Sequence, residues 1–169
     1  MRATTLLTLA VASMLAACSQ PSTPPAGAAN AVSGETPTPA PAPLTEAQKK
    51  KLLAELPPEF QTADLANGEA KAAICKTCHT IAQGAGDMVG PNLWGIFGRK
   101  AGSESGFSYS DGMKALGITW DAQAIDKWIS NPKSMIPETK MTYIGMENAK
   151  DRIDVIAYLK TITSPPPAS

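Results

Sequence analysis

Aromatic residues are scarce in this chain, with three Trp, three Tyr and three Phe among 169 residues. A domain with so little aromatic bulk has difficulty closing a core from its own side chains. A large flat cofactor would make up the difference. Histidine is scarcer still, at one residue, which excludes a catalytic or metal site built on two imidazoles. Charge of either sign is not in excess, at 15 Lys and Arg against 15 Asp and Glu. Composition therefore gives no reason to expect nucleic acid as a partner. Cysteine is limited to three residues, Cys18, Cys75 and Cys78, too few for a disulfide framework and odd in number. Proline is abundant by contrast, with 15 residues, most of them outside the middle of the chain.

The chain opens like an export signal over residues 1–17. Arg2 supplies the positive start, and Leu6, Leu7, Leu9, Ala10, Val11, Met14 and Leu15 the apolar run. That run is shorter than the ~20 residues a spanning helix needs. It ends in Leu15-Ala16-Ala17-Cys18, which resembles a bacterial lipobox, whose cysteine is acylated and becomes the new N-terminus. Ordinary cleavage at a small-residue site is the simpler alternative, but it leaves Cys18 as an exposed idle thiol. Lipidation at Cys18 is the expectation, since more than one acyl chain gives stable anchoring. Ser19 after the cysteine resembles the outer-membrane type, a rule that varies between organisms.

Residues 18–58 form the expected tether. Positions 19–43 are Pro, Ala, Ser, Thr and Gly with almost no large apolar residue, too little to offset the entropy of ordering. Residues 44–56, LTEAQKKKLLAEL, predict a short helix with Thr45 as N-cap and Leu52, Leu53 and Leu56 on one face. Pro57-Pro58 is expected to stop it, and so short a helix is expected to be marginal and to belong to the linker. A flexible tether from Cys18 to Phe60 spans roughly 35 Å r.m.s., and about 120 Å if fully extended.

The globular domain is expected over 59–163, followed by a disordered tail at 164–169. The domain carries 11 Lys and Arg against 12 Asp and Glu. Helices are predicted over 64–77, 121–130 and from 147 or 148 to 161, the last with Val155, Ile156, Tyr158 and Leu159 on its apolar face. Residues 83–118 are rich in Gly, Ser and Asn and show no useful alternation. Such a long loop suits a chain that wraps something.

Cys75-Lys76-Thr77-Cys78-His79 is the decisive feature. C-x-x-C-H is the attachment signature of c-type haem: each thiol adds to one porphyrin vinyl group, and the adjoining imidazole reaches the iron. A thioredoxin-like dithiol opens a helix after a strand, whereas this pair closes a helix. A zinc site lacks further histidine ligands. With one histidine the sixth iron ligand must be another residue. Met88, Met113, Met135, Met141 and Met146 compete for it in the mature chain, though core filling is the usual role of any one methionine.

Residues 60–163 resemble the class I cytochromes c, in the branch of mitochondrial cytochrome c and bacterial cytochrome c2. The segments that carry the resemblance are C-K-T-C-H-T at 75–80, G-P-N-L-W-G-I-F-G-R-K at 90–100, G-F-S-Y-S-D at 106–111, G-I-T-W at 117–120, N-P-K-S-M-I-P-E-T-K-M at 131–141 and D-V-I-A-Y-L-K at 154–160. The resemblance implies an all-α cytochrome c fold of four to five helices around one covalent haem c. It implies Met141 as the axial ligand opposite His79, and the Pro91 carbonyl as acceptor of the imidazole proton. Arg99, Tyr109 and Trp120 are implied to partner a buried haem propionate, and Thr139 to line the methionine side of the pocket. Gly68 and Ala72 are implied to meet Tyr158 where the first and last helices cross. Trp128 stands where the family usually has a tyrosine, Met113 replaces a common asparagine, and Ile74 a common lysine. Lys76, Lys133 and Lys140 remain near the implied haem edge.

The function implied is one-electron transfer on the periplasmic side of a bacterial membrane, inner or outer. The implied partners are a cytochrome bc1-type donor and an oxidase, reductase or reaction centre as acceptor. No small-molecule substrate is expected, and no nucleic acid. The chain carries no Ser/His/Asp set, P-loop or second metal cluster that would suggest an enzyme. A haem peroxidase or gas-binding cytochrome is the competing class, and it needs an open iron position. A fixed electron-entry module of a larger complex is a third.

Overall fold

A computed structural model describes residues 43–167. The expected signal segment, Cys18, the Pro- and Ala-rich stretch as far as residue 42, and the last two residues lie outside the described residues. Among the described residues seven helical segments follow one another: α1 (Glu46–Ala54), α2 (Pro58–Gln61), α3 (Leu65–Lys76), α4 (Asp111–Ala115), α5 (Ala122–Ser130), α6 (Pro132–Met135) and α7 (Ala149–Thr163). Among the described residues the only β-pairing is an isolated bridge between Lys100 and Thr119.

The sequence explains where the longer helices begin. The Asp64 carboxylate accepts from the Ala66 and Asn67 amides, each at 3.0 Å, and starts α3. Asp121 caps α5 through the Ala124 amide at 2.7 Å, and Asn148 caps α7 through the Asp151 amide at 3.1 Å. Helix α5 then buries Ile125, Trp128 and Ile129, the i, i+3, i+4 pattern of a core-facing stripe. Helix α7 buries Val155, Ile156, Ala157 and Leu159 and is the element on which α1, α2, α3 and α5 all pack. Its closest neighbour is α3. A Cβ on Gly68 would lie 2.1 Å from the Asp154 carbonyl oxygen and 2.8 Å from the Tyr158 Cβ, so only glycine permits this approach.

Two expectations about the ends of the domain need correction. The helix over 44–56 forms with Thr45 as N-cap and a full capping box to Gln48, but it is not a marginal helix of the linker. It packs on α2 and α7 with Leu52 and Leu56 buried, and Glu55 pairs with Lys160 at 2.7 Å. Tertiary burial, rather than intrinsic propensity, is what holds so short a segment. Pro57 and Pro58 do not simply terminate it: Pro57 is the N-cap and Pro58 the first residue of α2, which buries Phe60. At the other end Ser164 is buried beyond α7, and Pro165, Pro166 and Pro167 lie around a cavity shared with Leu52 and Phe97. The packed unit therefore extends past 59–163 on both sides.

Candidate haem site

Helix α3 ends in the attachment motif. The Cys78 and His79 amides both donate to the Cys75 carbonyl, at 3.2 and 3.0 Å, and the Thr77 hydroxyl donates to the Ile74 carbonyl at 2.7 Å. These bonds use up the orphan carbonyls of the last turn and fix Cys75, Cys78 and His79 on one rigid corner. Both thiols are free and partly buried. Burial pushes the Cys75 thiol up, against its own backbone hydrogen bond and the Lys76 charge, so it stands protonated at neutral pH.

The imidazole of His79 is held by a hydrogen bond and by close backbone packing. Its Nδ1–H donates to the Pro91 carbonyl at 2.7 Å, which leaves Nε2 as the nitrogen free to ligate. Burial pushes its pKa below the ordinary histidine value; the Pro91 bond opposes this and the Arg99 charge adds to it. A neutral imidazole results, the form that binds metal. Gly90 lies against the ring: a Cβ there would fall 2.3 Å from Cε1. The backbone strap that carries Gly90 and Pro91 is tied to the motif by Gly90 N–H to the Cys78 carbonyl at 2.8 Å and Leu93 N–H to the Thr80 carbonyl at 2.9 Å.

Asn92 organises that strap, a role sequence reasoning did not find. It is buried, and its side chain donates to the Thr80 hydroxyl at 2.6 Å and the Ala82 carbonyl at 3.0 Å and accepts from the Trp94 amide at 2.7 Å. Its own amide donates to the Asp87 carboxylate at 2.8 Å. The position of Asn92 inside the matched segment 90–100 was a signal; its loop-bridging bonds were not legible from spacing. Gly90 was likewise visible only as one letter of that segment.

Arg99 and Trp120 are brought together by backbone pairing. The Trp120 amide donates to the Arg99 carbonyl at 2.9 Å and the Gly98 amide to the Trp120 carbonyl at 2.8 Å. Trp120 and Trp128 are both buried, ring centroids 5.8 Å apart and tilted by 53°. Tyr109 is half-buried, its ring edge-on to Phe107 at 4.7 Å. Its phenol is pushed up by burial and drawn down by the nearby Arg99 charge and a bond to the Glu104 backbone. The Arg99 guanidinium donates to the Asn92 carbonyl at 2.7 Å and is paired with the Glu104 carboxylate. Glu104 was not foreseen as a partner of Arg99.

Of the five methionines, Met113 is buried in the core and Met88 is 51% exposed. Met135, Met141 and Met146 are half-buried and pack on the core cluster. Met141 sits in a segment fastened on its N-terminal side. Its amide donates to the Thr139 hydroxyl at 3.2 Å, and the Thr139 amide to the Ile136 carbonyl at 3.0 Å. Tyr143, two residues on, is half-buried, and that burial pushes its phenol up. Lys140 reaches the Ser108 carbonyl at 2.7 Å, and Lys76 the Tyr158 hydroxyl at 3.3 Å.

The comparisons with known proteins agree with this geometry. The Cytochrome c family model matches residues 65–163. The chain belongs to the cytochrome c family. Cytochrome c2 of Rhodomicrobium vannielii is 45% identical over 102 residues, 60% of this chain and 82% of that protein. Cytochrome c of Cannabis sativa is 41% identical over 109 residues, 62% of this chain and 98% of that protein. Cytochrome cH from Methylobacterium extorquens has a similar solved structure, with a TM-score of 0.55 and 42% identity, covering 59% of this chain and 99% of that one. The cofactor of this cytochrome c is one covalently attached haem c, with Cys75 and Cys78 as its attachment cysteines. The residues fit that group: two free thiols at the required spacing, a neutral imidazole with Nε2 available, and a glycine wherever a Cβ would strike the ring.

Proposed function

We propose that this cytochrome c is a membrane-tethered one-electron shuttle on the periplasmic side of a bacterial membrane. When bound, haem c supplies a reversible one-electron couple. The chain's residues do the rest. Cys75 and Cys78 would hold the group, and His79 and Met141 would ligate its iron, the first oriented by Pro91 and the second by Thr139. Arg99, Tyr109 and Trp120 receive a propionate, and Trp128 packs where a phenol is lost, leaving the methionine sulfur without that donor. The observation that carries the reading is the His79 ring, locked by Pro91 and Gly90 with one nitrogen left to ligate. Ligation by Met141 as well would leave the iron no open position, which separates a carrier from a peroxidase or gas-binding protein.

Lipid at Cys18 supplies the anchor, and among the described residues no helix is long and apolar enough to cross a membrane. A bc1-type complex is the proposed donor, and an oxidase, reductase or reaction centre the acceptor. A tether to the same membrane as a partner raises the effective concentration without any contact energy. Fractionation of the native host tests this. The protein is expected with the membranes, resistant to salt washing, and Cys18→Ser is expected to release it or block its processing. A mature soluble wild-type protein starting at some other residue would contradict the proposal.

A further inference from the structure

The Arg99 guanidinium is not free for a propionate alone. It is 15% exposed and already paired with the Glu104 carboxylate, itself 28% exposed, while Nη2 donates to the Asn92 carbonyl. A guanidinium has five N–H groups, so donors remain for a second carboxylate, but there is only one positive charge to share. The charge sits next to the iron-ligand strap: Asn92, whose carbonyl takes Nη2, directly follows Pro91, whose carbonyl holds the His79 ring. The other groups facing this corner do not restore it. Asp87 is a further carboxylate, bound to the Asn92 amide, Tyr109 is a neutral phenol, and Lys100 is exposed.

We propose that Glu104 sets the reduction potential of this cytochrome by cancelling the Arg99 charge at the propionate corner. The inference rests on the reading of Arg99 as a propionate partner. Glu104 acts through Arg99 and is a positioning and charge-setting residue. The sign follows from electrostatics. Ferric haem carries one more positive charge than ferrous haem, so a nearby carboxylate favours the ferric form and lowers the potential. With Glu104 removed, the guanidinium stands uncancelled in a partly buried site where water screens it weakly, and the ferrous form gains.

Spectroelectrochemical titration of the holoprotein at pH 7 tests this on wild type, Glu104→Gln, Glu104→Asp and Arg99→Gln. Glu104→Gln keeps the side chain's size and removes its charge. Its midpoint is expected to rise by roughly a three- to tenfold change in the ferrous-to-ferric ratio, tenfold being about 59 mV for one electron. Glu104→Asp is expected to return the midpoint towards wild type, which a merely structural role would not produce. Arg99→Gln is expected to lower it. If Arg99→Gln lowers the midpoint and Glu104→Gln leaves it unchanged, the inference fails and the propionate reading stands. If neither variant moves it, both fail. A fall in Glu104→Gln also overturns the inference, and loss of the methionine–iron absorption would trace that fall to a lost ligand, because thioether ligation holds the potential up.

Discussion

At the scale of single residues, Gly90 shows how a site is kept by what is missing. Its φ is ordinary, so the constraint is space: a methyl group there falls 2.3 Å from His79 Cε1 and 2.7 Å from Nδ1. Gly90→Ala is expected to push the ring away from the Pro91 carbonyl and to destabilise the fold by roughly 1–3 kcal/mol, the usual range for overpacking. Lower yield of covalent holoprotein and a reduced thermal midpoint are the readouts. Wild-type yield and stability would show that the ring has slack. The sequence made the attachment residues legible because C-x-x-C-H is local chemistry, readable from five consecutive letters. Gly90, Asn92 and Glu104 were not legible as actors, because their roles depend on loops brought together over many residues. Trp128 was legible as a departure, and its packing on Trp120 accounts for how an indole is accommodated there.

At the scale of elements, the α3–α7 contact organises the molecule. The three main helices were readable because each has a polar N-cap, followed in α5 and α7 by an apolar face. Helices α4 and α6, of five and four residues, are too short to show a period and depend on Ser110 and Asn131 as caps. Beside the Gly68 contact lies Asp154, with its side chain 1% exposed. It accepts from the Asp64 amide at 2.8 Å, from Asn67 Nδ2 at 2.8 Å and from Lys150 at 2.7 Å. Burial works to raise its pKa, but the bonds from Lys150, Asn67 and the Asp64 amide outweigh it and hold the carboxyl below its ordinary value of 3.8. A depressed folded-state pKa means stability that is present above the unfolded value and lost as pH falls through the folded one. Asp154→Asn is therefore expected to cost about 1.5–3 kcal/mol at pH 7, the range for hydrogen bonds to a charged group. The gap to wild type is expected to close as pH drops below 3.8. Urea unfolding of both proteins across that range is the measurement, and a gap independent of pH would contradict the role given to the charge.

At the scale of the whole molecule, the N-terminal extension is part of the packed unit from α1 onward. The burial of Leu52 and Leu56 was not legible because three leucines on a short, lysine-rich helix look the same whether the face is covered or bare. The all-α architecture and the loop-rich middle were legible once a bound group explained why residues 83–118 need little structure of their own. The proposed centre is a haem whose iron His79 and Met141 would ligate, on a family scaffold that passes single electrons. The near-infrared spectrum of the ferric holoprotein, in wild type and in Met141→Ala, Met135→Ala and Met146→Ala, tests it most directly. The weak band of thioether–iron ligation is expected in wild type and in the latter two variants, and its loss in Met141→Ala alone. A band that survives Met141→Ala and vanishes when Met135 or Met146 is replaced would contradict the account.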